Sequence, residues 1–309
     1  MYKLFTHTDL DGAGCAVLAK LYFNNDVNIS YLNNIEVDDQ LNAFINSEEY
    51  KKYSTVYITD ISCSDEIAKK IEELNKSEKT QWILKDHHKT ALPLNKYSWV
   101  CIQPEYYPVN VEDPNIPTCG TSLFNDEFRD VSIGCNNRVL QNFVECVRLW
   151  DTWQWQDNDL GIVSQKLSTL LKIVGIEKFV SSVAKNIETR NQFFDDVENT
   201  LVNLELDRKE LYINQKINCV IPYEYEGNIF ALVFASEFIS ELGNRINTLH
   251  PEYKGVIIVT EYGISFRTIH NDIDVSVIAN NFGGGGHQKA AGISFTEDQK
   301  RLIVNNILK

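Results

Sequence analysis

The chain has 309 residues, of which 43% are hydrophobic and 23% are charged, and its formal net charge is -14. This is the composition of a globular protein with enough length for two domains. The excess of acids excludes long-range attraction to long nucleic acids or anionic membranes, and no apolar run approaches the roughly 20 residues of a membrane span.

Seven cysteines are scattered along the chain without a CxxC pair. This usage is typical of a reducing compartment and argues against a disulfide framework or a zinc site. The opening "MYKLFTHTDLDG" has acids where a secretion signal needs a long apolar stretch. We therefore expect a cytoplasmic protein whose thiols are free and mostly pack in the core.

The first part of the chain alternates strand-like and helix-like segments. The hydrophobic pattern predicts helices at 13–23 and 64–74, and strands at 2–6, 27–32, 55–61 and 81–86. This alternation predicts an α/β fold with a doubly wound, mostly parallel sheet and helices on both faces. In such sheets, ligands bind beyond the carboxyl ends of the strands.

The later segments indicate a second domain. Residues 104–120 contain four prolines and are predicted to form a loop, residues 137–153 a helix, and 191–217 one long connecting helix. Strand patterns return at 229–235, 255–260 and 263–269, with helices at about 237–248 and 274–281. We predict a first domain over 1–158, a helical linker over 159–217, and a smaller α/β domain over 218–309. The long helix could instead carry a homodimer contact.

Polar side chains collect at the predicted strand ends. They are His7, Asp9 and Asp11 after the first strand, Asp60 after the third, Asp86, His87 and His88 after the fourth, and Asp151 in the later stretch "RLWDTW". The carboxyl ends of parallel strands share one edge, where crowded acids repel one another unless cations lie between them. Carboxylate and imidazole without thiolate favour Mn²⁺ or Mg²⁺. Two ions about 3.5–4 Å apart, sharing one carboxylate, would activate water and stabilise phosphoryl oxygens.

Each of these acids has a simpler interpretation when it is taken alone. Asp60 is then more often a turn or a helix cap, Asp9 and Asp11 an Asx turn before a glycine, and Asp151 a helix-end acid. Four groups on separate segments, each at the expected edge of one sheet, favour a metal site over four unrelated explanations.

Three tryptophans, Trp150, Trp153 and Trp155, lie close to Asp151 in the sequence. Aromatic rings beside a metal site can stack a nucleobase. Core packing is the interpretation that the sequence favours for all three.

The second domain carries four consecutive glycines, 283–286, followed by His287 and Lys289, with Arg267 on a neighbouring strand pattern. Glycines let the main chain approach a ligand and aim N–H groups at an anion, and we expect that folding does not need them. Arginine suits phosphate. We predict a substrate-binding patch of Arg267, Gly284, Gly285, Gly286, His287 and Lys289, with a plain flexible loop as the alternative. Such a patch lets an acidic protein bind a short oligonucleotide, whose length the gap between domains would limit.

The motifs resemble those of a known superfamily. "HTDLDG", "ITD", "DHHKT" and "WDTW", in that order, look like motifs I to IV of the DHH phosphoesterases. "SFRTIH" and "FGGGGHQKAAG" look like the associated DHHA1 domain. The resemblance covers nearly the whole chain and is strongest to the B-type nano-RNases, or oligoribonucleases, of Gram-positive bacteria.

The resemblance implies a role for each residue. His7 and Asp9 match ligands of a first metal, Asp11, His87 and Asp151 match ligands of a second, and Asp60 matches the carboxylate that bridges both. Asp86 would orient His87, and His88 would face the substrate phosphate; these two complete the catalytic set. Many DHH enzymes carry a further acid where this chain has Ala13, so the chain follows the shorter form of motif I.

The implied activity is that of a metal-dependent phosphodiesterase. It would use two divalent ions, Mn²⁺ with Mg²⁺ or Co²⁺ as alternatives, to cleave very short RNA, and short DNA as a further candidate, to nucleoside monophosphates. Cyclic or linear dinucleotides and 3′-phosphoadenosine 5′-phosphate are alternative substrates on the same scaffold. A non-catalytic nucleic-acid-binding scaffold is a rival from another class, which the complete ligand set disfavours.

Overall fold

The computed structural model describes residues 1–106, 115–128 and 137–307. It divides into two compact units, Met1–Asn203 and Leu204–Lys309. Residues 107–114 of the predicted 104–120 loop lie outside the described part of the chain.

A five-stranded parallel sheet forms the centre of the first unit. Its strands are β1 (Tyr2–Thr6), β2 (Val27–Tyr31), β3 (Thr55–Thr59), β4 (Gln81–Asp86) and β5 (Val100–Ile102), in the order β2-β1-β3-β4-β5. β3 is buried along its whole length, as expected for a strand covered on both faces. The strand order changes direction between β1 and β3, and such a switch point opens a crevice at the carboxyl ends of these strands.

Helices cover both faces of this sheet. They are α1 (Leu10–Tyr22), α2 (Val37–Asn46), α3 (Asp65–Ser77), α4 (Gly120–Asp126), α5 (Asn137–Asp151), α6 (Gly161–Val174) and α7 (Ile176–Arg190). The apolar sides of α2 and α3 pack with Trp82 and Leu84 of β4 in one core cluster. α1 is buried from Leu10 to Ala19, because its small residues allow close packing with α4, α5 and α7.

The segment predicted as a loop is more ordered than its sequence indicates. β6 (Glu105–Tyr106) pairs with β7 (Ile116–Pro117), and α4 begins at Gly120. These strands have two residues each and α4 has seven, so none is long enough to give a hydrophobic period.

The linker prediction also differs from the structure. α6 and α7 belong to the first unit, where Leu167, Phe179 and Val183 are fully buried. The long helix α8 (Asp196–Ile217) begins later than predicted, because Asp195 and Glu198 cap each other's backbone N–H groups. The boundary between the two units falls inside α8.

The second unit contains a six-stranded mixed sheet. Its strands are β8 (Ile221–Tyr225), β9 (Asn228–Phe234), β10 (Val256–Val259), β11 (Gly263–Arg267), β12 (Gly285–His287) and β13 (Ala290–Ser294), in the order β12-β13-β11-β10-β9-β8. Only the β9–β10 pair is parallel among the described strands of this sheet. The end of α8 and α9 (Ile239–Leu249) pack on one face, and α10 (Val275–Asn281) packs on the other. α11 (Glu297–Ile307) ends the described chain. Among the described helices of both units, none combines the length and the apolar character needed to cross a bilayer.

Candidate metal centre and phosphate-binding patch

The turn between β1 and α1 places the first three predicted residues. Asp9 caps α1, because its Oδ1 accepts hydrogen bonds from the N–H groups of Asp11 and Gly12, each at 3.1 Å. Its other oxygen lies 2.9 Å from His7 Nδ1, at an angle that makes no good hydrogen bond. One carboxylate therefore both closes the turn and faces a neighbouring imidazole, so the structural and the ligand interpretations of Asp9 are compatible.

The glycines of "HTDLDGAG" allow this turn to sit tightly on its neighbours. A Cβ at Gly12 would overlap the carbonyl oxygen of His7, and a Cβ at Gly14 would overlap the side chain of Thr121. Small residues at both positions let α1 start directly beneath the loop that carries His7 and Asp9.

Asp11 is held by a segment that the sequence analysis missed. Its buried carboxylate accepts hydrogen bonds from the N–H groups of Gly120 and Thr121, at the start of α4, and Thr121 Oγ1 donates to the Asp11 carbonyl at 2.7 Å. These N–H groups have no partner within α4, so a carboxylate satisfies them well. Residues 11 and 120 are far apart in the sequence. The one local signal was the glycine and hydroxyl pair in "CGTSLF" before an apolar run.

Asp60 lies at the centre of the cluster, directly after β3. Thr6 of β1 and Thr59 of β3 are register partners, so His7 and Asp60 leave the sheet side by side. Asp60 is 2% exposed and adopts a left-handed conformation with φ of 56°. Its Oδ1 lies 3.3 Å from His87 Nε2, and its Oδ2 lies 4.0 Å from His7 Nδ1. The two oxygens of one carboxylate thus face two different histidines.

The end of β4 carries Asp86, His87 and His88. Asp86 was predicted to orient His87, but its Oδ1 lies 2.7 Å from Nδ1 of the His88 ring and accepts from the backbone N–H of His87. The prediction is therefore corrected: the ring that Asp86 orients is that of His88. Side chains alternate along an extended chain, so residues 86 and 88 share a side and His87 projects to the other. Ser62 donates to the second oxygen of Asp86.

Asp151, the last residue of α5, completes the cluster from outside the sheet. One carboxylate oxygen lies 3.6 Å from His87 Nε2, and Asp11 Oδ2 lies 3.7 Å from the same nitrogen. The Asp151 side chain is 23% exposed, so this side of the cluster is open to solvent.

The cluster is electrostatically crowded. Burial, and then repulsion from Asp11 and Asp9, raises the pKa of Asp60 well above its ordinary value. The same causes raise the pKa of Asp151 to about 8. The fold therefore disfavours the charged forms of these two carboxylates. A bound cation would relieve the repulsion between them.

The donor atoms fit divalent cations. One set contains His7, Asp9 and Asp60, another contains Asp11, His87 and Asp151, and within each set the donors lie within 4.8 Å of one another. His7 Nδ1, Asp60 Oδ2 and His87 Nε2 are buried and have no hydrogen-bond partner. Buried polar atoms without a partner are rare and costly, and a cation would satisfy all three. A third, overlapping set joins Asp60, Asp86, His87 and His88, although the oxygens of Asp86 are already occupied.

The second unit holds an arginine that is suited to an anion. Arg267 donates from Nη1 to Ser265 Oγ and the Phe266 carbonyl, both at 2.8 Å, and approaches Ser240 Oγ at 3.4 Å. Within the described residues, no carboxylate lies within ion-pair distance of its guanidinium. Burial lowers the pKa of Arg267. A partly buried guanidinium without a carboxylate partner fits a phosphate.

The glycine run has a structural purpose that the sequence analysis did not expect. Gly283 and Gly286 have φ of 77° and 144°, and Cβ atoms at Gly284 and Gly286 would overlap backbone atoms of β13. The expectation that folding does not need these glycines is therefore wrong for three of the four. Gly283 has room for a Cβ but is constrained by its φ, whereas Gly285 has neither a positive φ nor a close backbone neighbour, and it remains the best candidate of the run for close approach to a ligand.

His287 and Lys289 have different surroundings. His287 is exposed at the end of β12. The ammonium group of Lys289 contacts the carbonyl oxygens of Ile269 and His270 and the Asn271 side chain. All three of its donors are therefore used within the protein, which favours a role for Lys289 in bracing the turn after β11 over the predicted contact with substrate.

Comparison with known proteins identifies the family. A family model described as the DHHA1 domain matches residues 232–309. Over 98% of its length, the chain is 34% identical to the oligoribonuclease NrnB of Bacillus subtilis strain 168, and it covers 75% of that protein. The chain belongs to the DHH/DHHA1 phosphoesterase superfamily. The uncharacterised protein R106 of Acanthamoeba polyphaga mimivirus is 30% identical over 103 residues, which are 31% of this chain and 23% of that protein.

Two solved structures share the fold. The pGpG-specific phosphodiesterase PggH of Vibrio cholerae has a TM-score of 0.57 and 14% identity, covering 99% of this chain and 97% of that one. An exonuclease RecJ bound to manganese has a TM-score of 0.55 and 13% identity, covering 99% of this chain and 88% of that one. The predicted two-domain α/β fold is confirmed, and family membership confirms a hydrolase that acts on phosphodiester bonds.

Proposed function

We propose that the protein is a two-metal phosphodiesterase that hydrolyses short oligoribonucleotides to nucleoside monophosphates. The substrate class is supported by the full-length similarity to an oligoribonuclease. The net charge of -14 supports a short substrate, because such a chain offers no extended field that would hold a long nucleic acid.

The position of Asp60 is the observation that carries the two-metal proposal. One of its oxygens faces the donor set of His87 and the other faces the donor set of His7. A carboxylate between two cations screens their mutual repulsion, which no acid facing a single set can do. This geometry supports Asp60 as the carboxylate that two ions would share.

The chemistry of such a centre would come from the divalent ions that its residues would hold. His7, Asp9 and Asp60 would hold one divalent ion, and Asp60, Asp11, His87 and Asp151 the other. Bound there, two divalent ions supply Lewis acidity to phosphoryl oxygens and lower the pKa of a coordinated water.

Two residues of the chain are proposed to position the substrate. Asp86 fixes Nδ1 of His88, so Nε2 is the nitrogen that remains for a substrate oxygen, and the His88 side chain is 50% exposed. Nδ1 then carries the proton that bonds Asp86, and the ring cannot rotate freely. This arrangement supports a role for His88 in contacting a phosphate or the leaving oxygen. The guanidinium of Arg267, which has no carboxylate partner among the described residues, supports a role in binding an anionic group of the substrate.

A substrate panel tests this proposal. The protein is incubated with Mn²⁺ and RNA of two to five nucleotides, the matching DNA, a structured RNA of tens of nucleotides, a cyclic dinucleotide, and 3′-phosphoadenosine 5′-phosphate. We expect monophosphates from short RNA, slow turnover of the structured RNA, and no activity in EDTA. If the cyclic dinucleotide or 3′-phosphoadenosine 5′-phosphate is hydrolysed faster than short RNA, that compound and not short RNA represents the substrate class. Undiminished activity after complete metal removal would refute the metal mechanism.

A further inference from the structure

The C-terminus of α5 ends in a tightly bonded turn. The N–H of Gln154 donates to the Leu149 carbonyl at 2.9 Å, and the N–H of Trp153 donates to the Trp150 carbonyl at 3.2 Å. This paired pattern is the Schellman motif, and it places Trp153 in the left-handed conformation with φ of 61°. Glycine usually occupies this position, because a side chain there is strained.

Packing does not explain the tryptophan. Among the described residues with positive φ other than glycine, two are aromatic, Trp153 and Phe238. Phe238 is partly buried against a core cluster and meets the ring of Tyr212 at 5.8 Å, so its side chain has a role in the fold. Trp153 is 50% exposed and meets Trp155 at 82°, with ring centroids 5.9 Å apart. A perpendicular contact covers at most one face of its indole.

The turn is held rigidly in spite of its strain. Arg148 donates from Nη1 to Gln154 Oε1 at 2.7 Å and to the Pro117 carbonyl at 3.1 Å, and Thr152 Oγ1 donates to the Arg148 carbonyl at 2.7 Å. Trp150 and Trp155 stack beside it, with centroids 5.2 Å apart and planes 30° apart. A strained residue that its surroundings fix in one conformation is a feature of binding sites, because little entropy is lost when a ligand arrives.

The location of this ring suits a nucleotide. Trp153 follows the cluster residue Asp151 by two positions, so their Cα atoms lie within about 7 Å of each other. The ring that would stack a base and the carboxylate that would hold a metal thus belong to one turn. Trp153 is thus the large exposed aromatic nearest in sequence to the metal-ligand candidates, and stacking of bases on aromatic rings tolerates every base type.

We propose that Trp153 is a stacking platform for the nucleobase next to the phosphate that is cleaved. This role rests on the proposed function and adds a specificity determinant to it. Trp153 makes the enzyme select nucleotidyl diesters over diesters without a base, and this role accounts for a bulky side chain at a strained position. Trp150 and Trp155 are partly buried, and their stacked rings support the platform.

A thermodynamic cycle tests the platform. Wild type, Trp153→Gly and Trp153→Phe are assayed with Mn²⁺ on an RNA dinucleotide and on two analogues, each lacking the base of one nucleotide. Tyr262→Ala, which removes another exposed aromatic ring, is the matched control. KM and kcat are measured for each combination of variant and substrate, and the melting temperature is measured for each variant.

The expected pattern is specific. Trp153→Gly raises KM for the dinucleotide about 5- to 150-fold, which corresponds to ~1–3 kcal/mol of stacking, and barely affects the analogue that lacks the stacked base. Trp153→Phe and Tyr262→Ala retain near-normal KM. Trp153→Gly melts no lower than wild type, because glycine relieves the left-handed strain.

Other outcomes decide against the proposal. Equal losses of Trp153→Gly on the dinucleotide and both analogues, or a lower melting temperature with no change in KM, would assign Trp153 to folding and overturn it. If wild type hydrolyses none of the three substrates, the proposed function fails first and the platform fails with it. If wild type hydrolyses the substrates but the effects on KM of removing the ring and of removing the base are independent, the platform is refuted and the proposed function stands.

Discussion

Replacing Asp60 with Asn should stabilise the metal-free protein and abolish its metal-dependent activity. Asn keeps the shape of the side chain and tolerates the left-handed conformation at φ of 56°, so the backbone should not change. The substitution removes one negative charge that is 2% exposed and whose Oδ2 has no hydrogen-bond partner. It also removes a carboxylate whose two oxygens face the two donor sets.

The magnitude follows from the crowding of the carboxylates. Two like charges about 4 Å apart repel by ~4 kcal/mol at an effective dielectric constant near 20, and partial protonation of the cluster relieves part of this. We expect the variant to be more stable by about 2 kcal/mol at pH 8. For a unit of roughly 200 residues this is a rise in melting temperature of about 4–8 °C.

The pH dependence gives the sign of the effect. The folded-state pKa of Asp60 is raised by burial and by Asp11, so wild type loses stability as pH rises above the ordinary carboxylate pKa of about 4. Asp151, whose pKa is raised to about 8, adds a loss of stability toward pH 8 that wild type and variant share. The advantage of Asp60→Asn should therefore be small at pH 4 and largest near pH 8. Mn²⁺ should reverse the order, because it stabilises wild type by occupying the charged cluster.

Thermal melts in EDTA and in Mn²⁺, at pH 5 and pH 8, measure these differences. Asp159→Asn is the matched control, because it removes an exposed carboxylate outside the cluster. If Asp60→Asn melts below wild type in EDTA at pH 8, the charge of Asp60 is not a source of instability in the folded protein. If it retains turnover on short RNA at moderate Mn²⁺, the shared-carboxylate proposal is refuted.

Three further predictions concern single residues. Gly120→Ala would bring a methyl group 2.5 Å from Asp60 Cβ, so Mn²⁺ affinity measured by calorimetry should fall by more than about tenfold, and unchanged affinity would contradict the packing argument. Arg267→Ala should raise KM for dinucleotides about 10- to 150-fold, as expected for a lost charge-assisted contact of ~1.5–3 kcal/mol, whereas Lys289→Ala should lower the melting temperature and leave KM unchanged. His88→Ala should lower kcat about 10²- to 10⁴-fold with little change in Mn²⁺ affinity; a matching loss of affinity would make His88 a ligand instead.

The sequence by itself determined the architecture of the first unit. Strand and helix periods along the first ninety residues predicted a parallel sheet, and four of its five strands were placed within two residues of their observed ends. The polar residues at those ends could be gathered into one candidate site without a structure. The reason is geometric: parallel strands begin at one edge and finish at the other, so residues that follow different strands become neighbours. The order of the motifs then indicated the superfamily.

The partners of those residues were decided by tertiary structure alone. Asp11 is held by N–H groups 109 and 110 positions away, and no local pattern specifies such a long-range contact. The ring that Asp86 orients depends on which side of the chain His87 and His88 project. The need for glycine at 284 and 286 arises from the close approach of the β13 backbone, and the need at 283 from its left-handed φ of 77°. The exposed indole of Trp153 appears in sequence as one more core aromatic. Sequence periodicity shows which face of a helix or strand is apolar. The hydrogen-bond partners and close contacts described here depend instead on which distant segment of the chain packs against that helix or strand.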